Sequence, residues 1–123
     1  SRGGVLRAHV REIITPSPDR RTPPCPYAEV CGGCNWQHIT YEQQVKSKHD
    51  ILVDCLRRIG KISDIPPIEV IASPEWNYRT RAQFQIDRRH KLLGFFKKRS
   101  HKVIGIDHCP VLCPALNAVL EDS

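Results

Sequence analysis

Long apolar runs are missing from this sequence of 123 residues: nowhere do more than three residues of the set Ala, Val, Ile, Leu, Met, Phe, Trp, Tyr and Cys stand in a row. A membrane-spanning helix needs about 18 or more. The polar, arginine-containing start SRGGVLRAHVREII also lacks the apolar core of a signal peptide. These absences predict a soluble, cytoplasmic protein with no membrane partner. Acidic residues are in short supply, with 13 Asp and Glu against 19 Lys and Arg, and the formal charge of +6 favours a polyanionic partner over a basic one. The length suits one compact domain, expected as a monomer.

The positive charge is concentrated. Residues 75–108 hold nine basic side chains against Glu75, Asp87 and Asp107, a net +6, so the rest of the chain sums to zero. Such a cluster is either a solvated face or a surface for an anion.

Along the chain, the β-branched stretch Val5 to Ile14 predicts a strand. Pro16, Pro18, Pro23, Pro24 and Pro26 then forbid helix and central strand alike. A helix is predicted over 41–59. Thr40 and Gln43 have the spacing of a capping box, Glu42 lies in the first turn, Leu52, Cys55, Leu56 and Ile59 share one face, and Gly60 offers a left-handed stop. The run IEVIAS (68–73) suggests a short strand. A second segment alternates, with Ala82, Phe84 and Ile86 on one side and Arg79, Arg81, Gln83 and Gln85 on the other. Leu92 to Lys97 and Lys102 to Ile106 complete an antiparallel meander through turns at 87–91 and 98–101, and Pro114 opens a closing helix through Leu120. The expected fold class is α+β: a small antiparallel sheet with one main helix, a cysteine-rich loop and a short C-terminal helix.

Six cysteines allow fifteen disulfide connectivities, but without secretory context a tight C-x2-C pair points to metal binding or catalysis. The pattern C-x5-C-G-G-C puts Cys25, Cys31 and Cys34 within ten residues, and Gly32 and Gly33 free the backbone to curl around one point. A fourth ligand must come from elsewhere. Cys109, which follows a strand and precedes Pro110, is the first choice. Cys113 stands in reserve, followed by His38 and His108 for a zinc ion held by three thiolates and an imidazole. A thioredoxin-like use of CGGC is disfavoured because NWQHI separates the pair from the helix. Cys55 is expected to pack in the helix core.

PSPDRRTPPCPYAEVCGGCNWQHITYEQQVKSK, NYRTRAQFQI and LGFFKKRSHKVIGIDHCPVLCPALN, in that order, resemble the RNA (uracil-5-)-methyltransferases, which make 5-methyluridine in ribosomal and transfer RNA with S-adenosylmethionine. The resemblance covers nearly the whole chain and implies a [4Fe-4S] cluster on Cys25, Cys31, Cys34 and Cys109, as in the branch of the family that keeps one. It makes residues 1–14 the end of a preceding RNA-binding β-barrel (TRAM) domain and residues 15–123 the cluster-bearing central domain. The family's S-adenosylmethionine-binding catalytic domain, with its nucleophilic cysteine and general base, has no counterpart here, and no strand runs into a G-x-G-type loop. The chain alone is expected to be inactive, with no catalytic or S-adenosylmethionine-binding residue.

The expected function is RNA recognition, on ribosomal or transfer RNA, by the cluster-bearing domain of a methyltransferase. Arg79, Arg81, Gln83, Lys97, Lys98 and Arg99 are the expected contacts, and Tyr78, Trp76 and Phe96 are candidates for stacking on bases. A stand-alone iron–sulfur redox protein and a four-cysteine zinc nucleic-acid module are the alternatives.

Overall fold

The computed structural model describes Gly4, Leu6 and residues 8–122. Its ordered elements are α1 (Tyr41–Arg58), β1 (Gln85–Asp87), β2 (Leu92–Phe96), β3 (Val103–Gly105) and α2 (Pro114–Glu121), an α+β arrangement. The three strands form an antiparallel meander, β1-β2-β3, with Ile86 opposite Leu93 and Phe95 opposite Ile104. Local turn chemistry closes it. Asp87 Oδ1 accepts the Arg89 and His90 amides at 3.0 and 3.1 Å, and Lys91 takes the left-handed backbone that follows.

The core lies between this sheet and the C-terminal segment. Ile106, Cys109, Val111, Leu112 and Leu120 are buried, with Trp76, Ala82, Phe84, Leu93 and Phe95 packed around them. Residues 77–79 run beside 110–113: the Asn77 and Arg79 amides donate to Pro110 and Val111 at 2.9 and 2.8 Å, and the Cys113 amide donates to Arg79 at 2.9 Å. Gly94 sits where β2 and β3 approach closely, and a Cβ there would collide with the Ile104 carbonyl oxygen. Gly94→Ala is therefore expected to cost about 1–3 kcal/mol, as overpacking does. A urea titration of variant and parent checks this.

Several expectations are corrected. Residues 8–14 form no strand and are exposed, while Val5 and Arg7, which fall in the predicted strand, lie outside the described residues. Residues 68–73 are likewise irregular, with Ile71 exposed. Ile86 stays on the core side of the sheet through its pairing with Leu93, yet is 69% exposed because it sits on the outer strand in an open hollow beside Leu120.

Helix α1 forms nearly where expected, but it is not a core helix. It buries no residue, Leu52 and Ile59 are 46% and 78% exposed, and Cys55 is exposed rather than packed. Its ties are at its start, where the Gln44 side-chain amide donates to the Ile39 carbonyl at 2.9 Å. Thr40 makes no side-chain cap, and the other half of the capping box is missing too: the Thr40 amide donates to the Asp19 carbonyl at 2.9 Å, and Gln43 turns forward to Ser47 at 3.0 Å. The left-handed residue after the helix is Lys61, not Gly60. No helix among the described residues is long and apolar enough to cross a membrane.

Candidate metal centre and nucleic-acid interface

The loop carrying three of the predicted ligands is built by backbone bonds. Within it, the Ala28 amide donates to Cys25 at 3.1 Å and the Cys31 amide to Tyr27 at 2.7 Å, so one compact turn absorbs the five intervening residues. The loop then joins the sheet beyond β2: Gly32 donates to Phe96 at 2.9 Å, and Lys98 returns an amide bond to Val30 at 2.8 Å. Tyr27 ties the same loop to the segment just after β3, its hydroxyl donating to Asp107 Oδ1 at 2.8 Å. That bond holds the Asp107 carboxyl below the usual range and pushes the Tyr27 phenol up.

The consequence is that Cys25, Cys31, Cys34 and Cys109 all line one small cavity of about 20 Å³, walled by Tyr27, Phe95 and Ile106. Cys25 and Cys109 are buried, Cys31 and Cys34 half-buried. As placed, no three of the described His, Cys, Asp or Glu side chains form a group that could hold a metal ion, so the thiols share a space without closing on one point. His108 borders the cavity. Cys113, the reserve ligand, instead occupies the N-cap of α2.

Two buried amides that local sequence did not single out hold the cavity's cysteines. The Cys25 amide donates to Gln37 Oε1 at 3.3 Å. Asn117, on α2, accepts the Cys109 amide at 2.9 Å and donates to the Cys109 and Leu112 carbonyls at 3.1 and 3.2 Å. Both side chains are buried. A polar residue on the inner face of an otherwise apolar helix was the signal available for Asn117.

Burial pushes the Cys25 and Cys109 thiols up, and the neighbouring cysteines add to the shift at both. Since the thiolate is the nucleophile, both should be poor nucleophiles at neutral pH. Iodoacetamide on metal-free protein is expected to alkylate exposed Cys55 well before Cys25 or Cys109, read by peptide mass spectrometry over time. Labelling of Cys109 as fast as Cys55 would contradict the buried cavity.

The basic residues separate into different surroundings. Gln83, Lys97 and Arg99 line one open hollow of about 530 Å³ with Phe96 and His101, whose rings meet edge to face at 5.6 Å. Lys98 and Arg99 border the adjoining hollow beside Gly32 and Asn35, with Lys98 Nζ donating to the Ala28 carbonyl at 2.6 Å. Arg79 is half-buried and lines the thiol cavity, whereas Arg81 is exposed. The two arginines expected to work as a pair on one strand face therefore do different things.

No family model matches the chain. Individual proteins do. The chain is 40% identical over 114 residues, 92% of its length, to a protein of Aquifex aeolicus named an uncharacterized RNA methyltransferase. It is 38% identical over 91% of its length to a 23S rRNA (uracil(1939)-C(5))-methyltransferase of Methylococcus capsulatus, and 34% identical over 98% of its length to one of Alkalilimnicola ehrlichii. It covers 26%, 26% and 28% of these three proteins, so it spans about a quarter of the length of the curated relatives it matches. The chain is thus related, over nine-tenths of its own length, to a segment of the RNA methyltransferase family.

Proposed function

We propose that this chain is the cluster-bearing RNA-recognition part of an S-adenosylmethionine-dependent RNA (uracil-C5) methyltransferase acting on ribosomal RNA. The observation that carries this is the meeting of three cysteines of one loop with Cys109, far along the chain, at one apolar-walled cavity beside a basic sheet. Relatives named 23S rRNA uracil-C5 methyltransferases support the substrate class.

The donor set fits an iron–sulfur group: four thiols and an apolar wall, with the Gly33 amide donating to Cys31 Sγ at 3.4 Å. Cys25, Cys31, Cys34 and Cys109 would hold the cluster, which would supply a cross-link between the 25–34 loop and the segment before α2. The chain's own residues then act on RNA. Lys97 and Arg99 neutralise phosphates, Gln83 offers an amide, and Phe96 gives an aromatic surface at the rim. Methyl transfer itself requires a thiolate adding to uracil C6 and a base at C5, beside S-adenosylmethionine, and no residue of this chain is given those roles.

The test is binding of a labelled uridine-containing RNA hairpin across a salt series. Replacing Lys97 and Arg99 by Ala is expected to weaken binding and lower the slope of log K against log salt by about 0.7–0.9 for each phosphate no longer neutralised. Unchanged affinity and slope would show that this face is only solvated.

A further inference from the structure

A second cleft, of about 350 Å³, opens on the other side of the cysteine loop. That volume lies within the ~300–1,000 Å³ of small-ligand sites. Its walls come from the loop itself (Asn35, Trp36), from the start of α1 (Tyr41, Lys48) and from the segment leading to the core (Trp76, Tyr78). Four aromatic rings thus border one space in a chain with eight Trp, Tyr and Phe in total. We propose that this cleft takes one unstacked nucleobase of single-stranded RNA, a proposal that rests on the RNA-binding function above and adds a site outside the Lys97–Arg99 face.

The walls are fixed before any ligand arrives. The Tyr41 hydroxyl accepts the Ser73 amide at 3.0 Å and donates to the Ser73 carbonyl at 2.5 Å, latching α1 to the 73–76 segment. The Arg21 guanidinium lies 5.4 Å from the centre of the Trp76 ring and pairs with Glu75, neutralising the only acidic side chain among the described residues that line the cleft. That leaves Lys48 and Arg79 as its net charge. Two cations suit the phosphates flanking a single nucleotide better than the concentrated charge of a free triphosphate. Among the described residues the exposed Asn35 amide has no hydrogen-bond partner, so it remains available to a base edge, while flat rings are what a base face requires.

The cleft also shares a wall with the thiol cavity: Gly33, Cys34, Gln37 and Arg79 border both. The loop that presents the cysteines therefore presents Asn35 and Trp36 to the base.

The experiment compares two labelled probes by fluorescence anisotropy on the 123-residue chain: a short single-stranded oligouridylate, and the same backbone with its bases removed. Stacking on aromatic side chains predicts a preference for the base-bearing probe of roughly 5- to 100-fold. Tyr78→Ala, at a residue 49% exposed, is expected to bring that preference close to unity while affinity for the abasic probe holds. Asn35→Ala, at an exposed position, is the second variant and should lower the same ratio. A preference that survives in both variants overturns the cleft but leaves RNA binding intact. If neither probe binds the parent chain, the RNA function is overturned, and this site with it.

Discussion

Cys109→Ser is expected to abolish iron incorporation, while Cys113→Ser and Cys55→Ser leave it unchanged. All three cysteines are free thiols, but only Cys109 borders the cavity shared with Cys25, Cys31 and Cys34. Cys113 is directed elsewhere by its place at the N-cap of α2, and Cys55 stands exposed on a different helix. A serine hydroxyl is a hard, weakly acidic replacement for a soft thiolate, so the proposed cluster would lose one corner of its support. Iron and acid-labile sulfide, measured after anaerobic purification, provide the readout. Equal loss from Cys109→Ser and Cys113→Ser would overturn the ligand assignment.

Asn117→Leu is expected to be the most destabilising single change, at about 2–4 kcal/mol. Leucine keeps the branched shape with bulkier methyl ends but makes none of the three hydrogen bonds, leaving the Cys109 amide and the Cys109 and Leu112 carbonyls buried without their partner. Each such orphaned group costs roughly 1–3 kcal/mol, partly relieved by relaxation or water. Because Leu112 is the most completely buried side chain in the described core, its surroundings leave little room for relief. Urea unfolding of the metal-free chain measures the loss. A change under about 0.5 kcal/mol, the scale of ordinary surface substitutions, would mean that Asn117 is not holding this segment. Since Asn117 grips Cys109 on both sides of its peptide, iron loading of the variant should fall as well.

The meander, the closing helix and the cysteine grouping were legible in the sequence because each depends on neighbours in the chain. Asp87 and Lys91 make the first turn within five residues, Pro114 starts α2 with the φ it already has, and the 25–34 loop curls through bonds no longer than six residues. Even Cys109 as the fourth cavity residue followed from a local pattern, a cysteine before Pro110 after a strand.

What required the tertiary structure was everything decided by distant partners. Periodicity identified the apolar face of α1, with Leu52, Cys55 and Ile59 aligned, but it could not say whether anything lay against that face. Among the described residues only Leu56 of that face is half-buried, and Leu52, Cys55 and Ile59 remain exposed. Ile86 follows the same logic: alternation put it on the correct side of the sheet, and the end of α2 falls short of covering it. Arg79 and Arg81 are equivalent in an extended strand, yet Arg79 is fixed by pairing with 111–113 and Arg81 is not. The aromatic cleft joins residues 35, 41 and 78, whose approach depends on the Tyr41–Ser73 latch. Local sequence determines the direction a side chain leaves the backbone, whereas burial and shared sites depend on which remote segment arrives there.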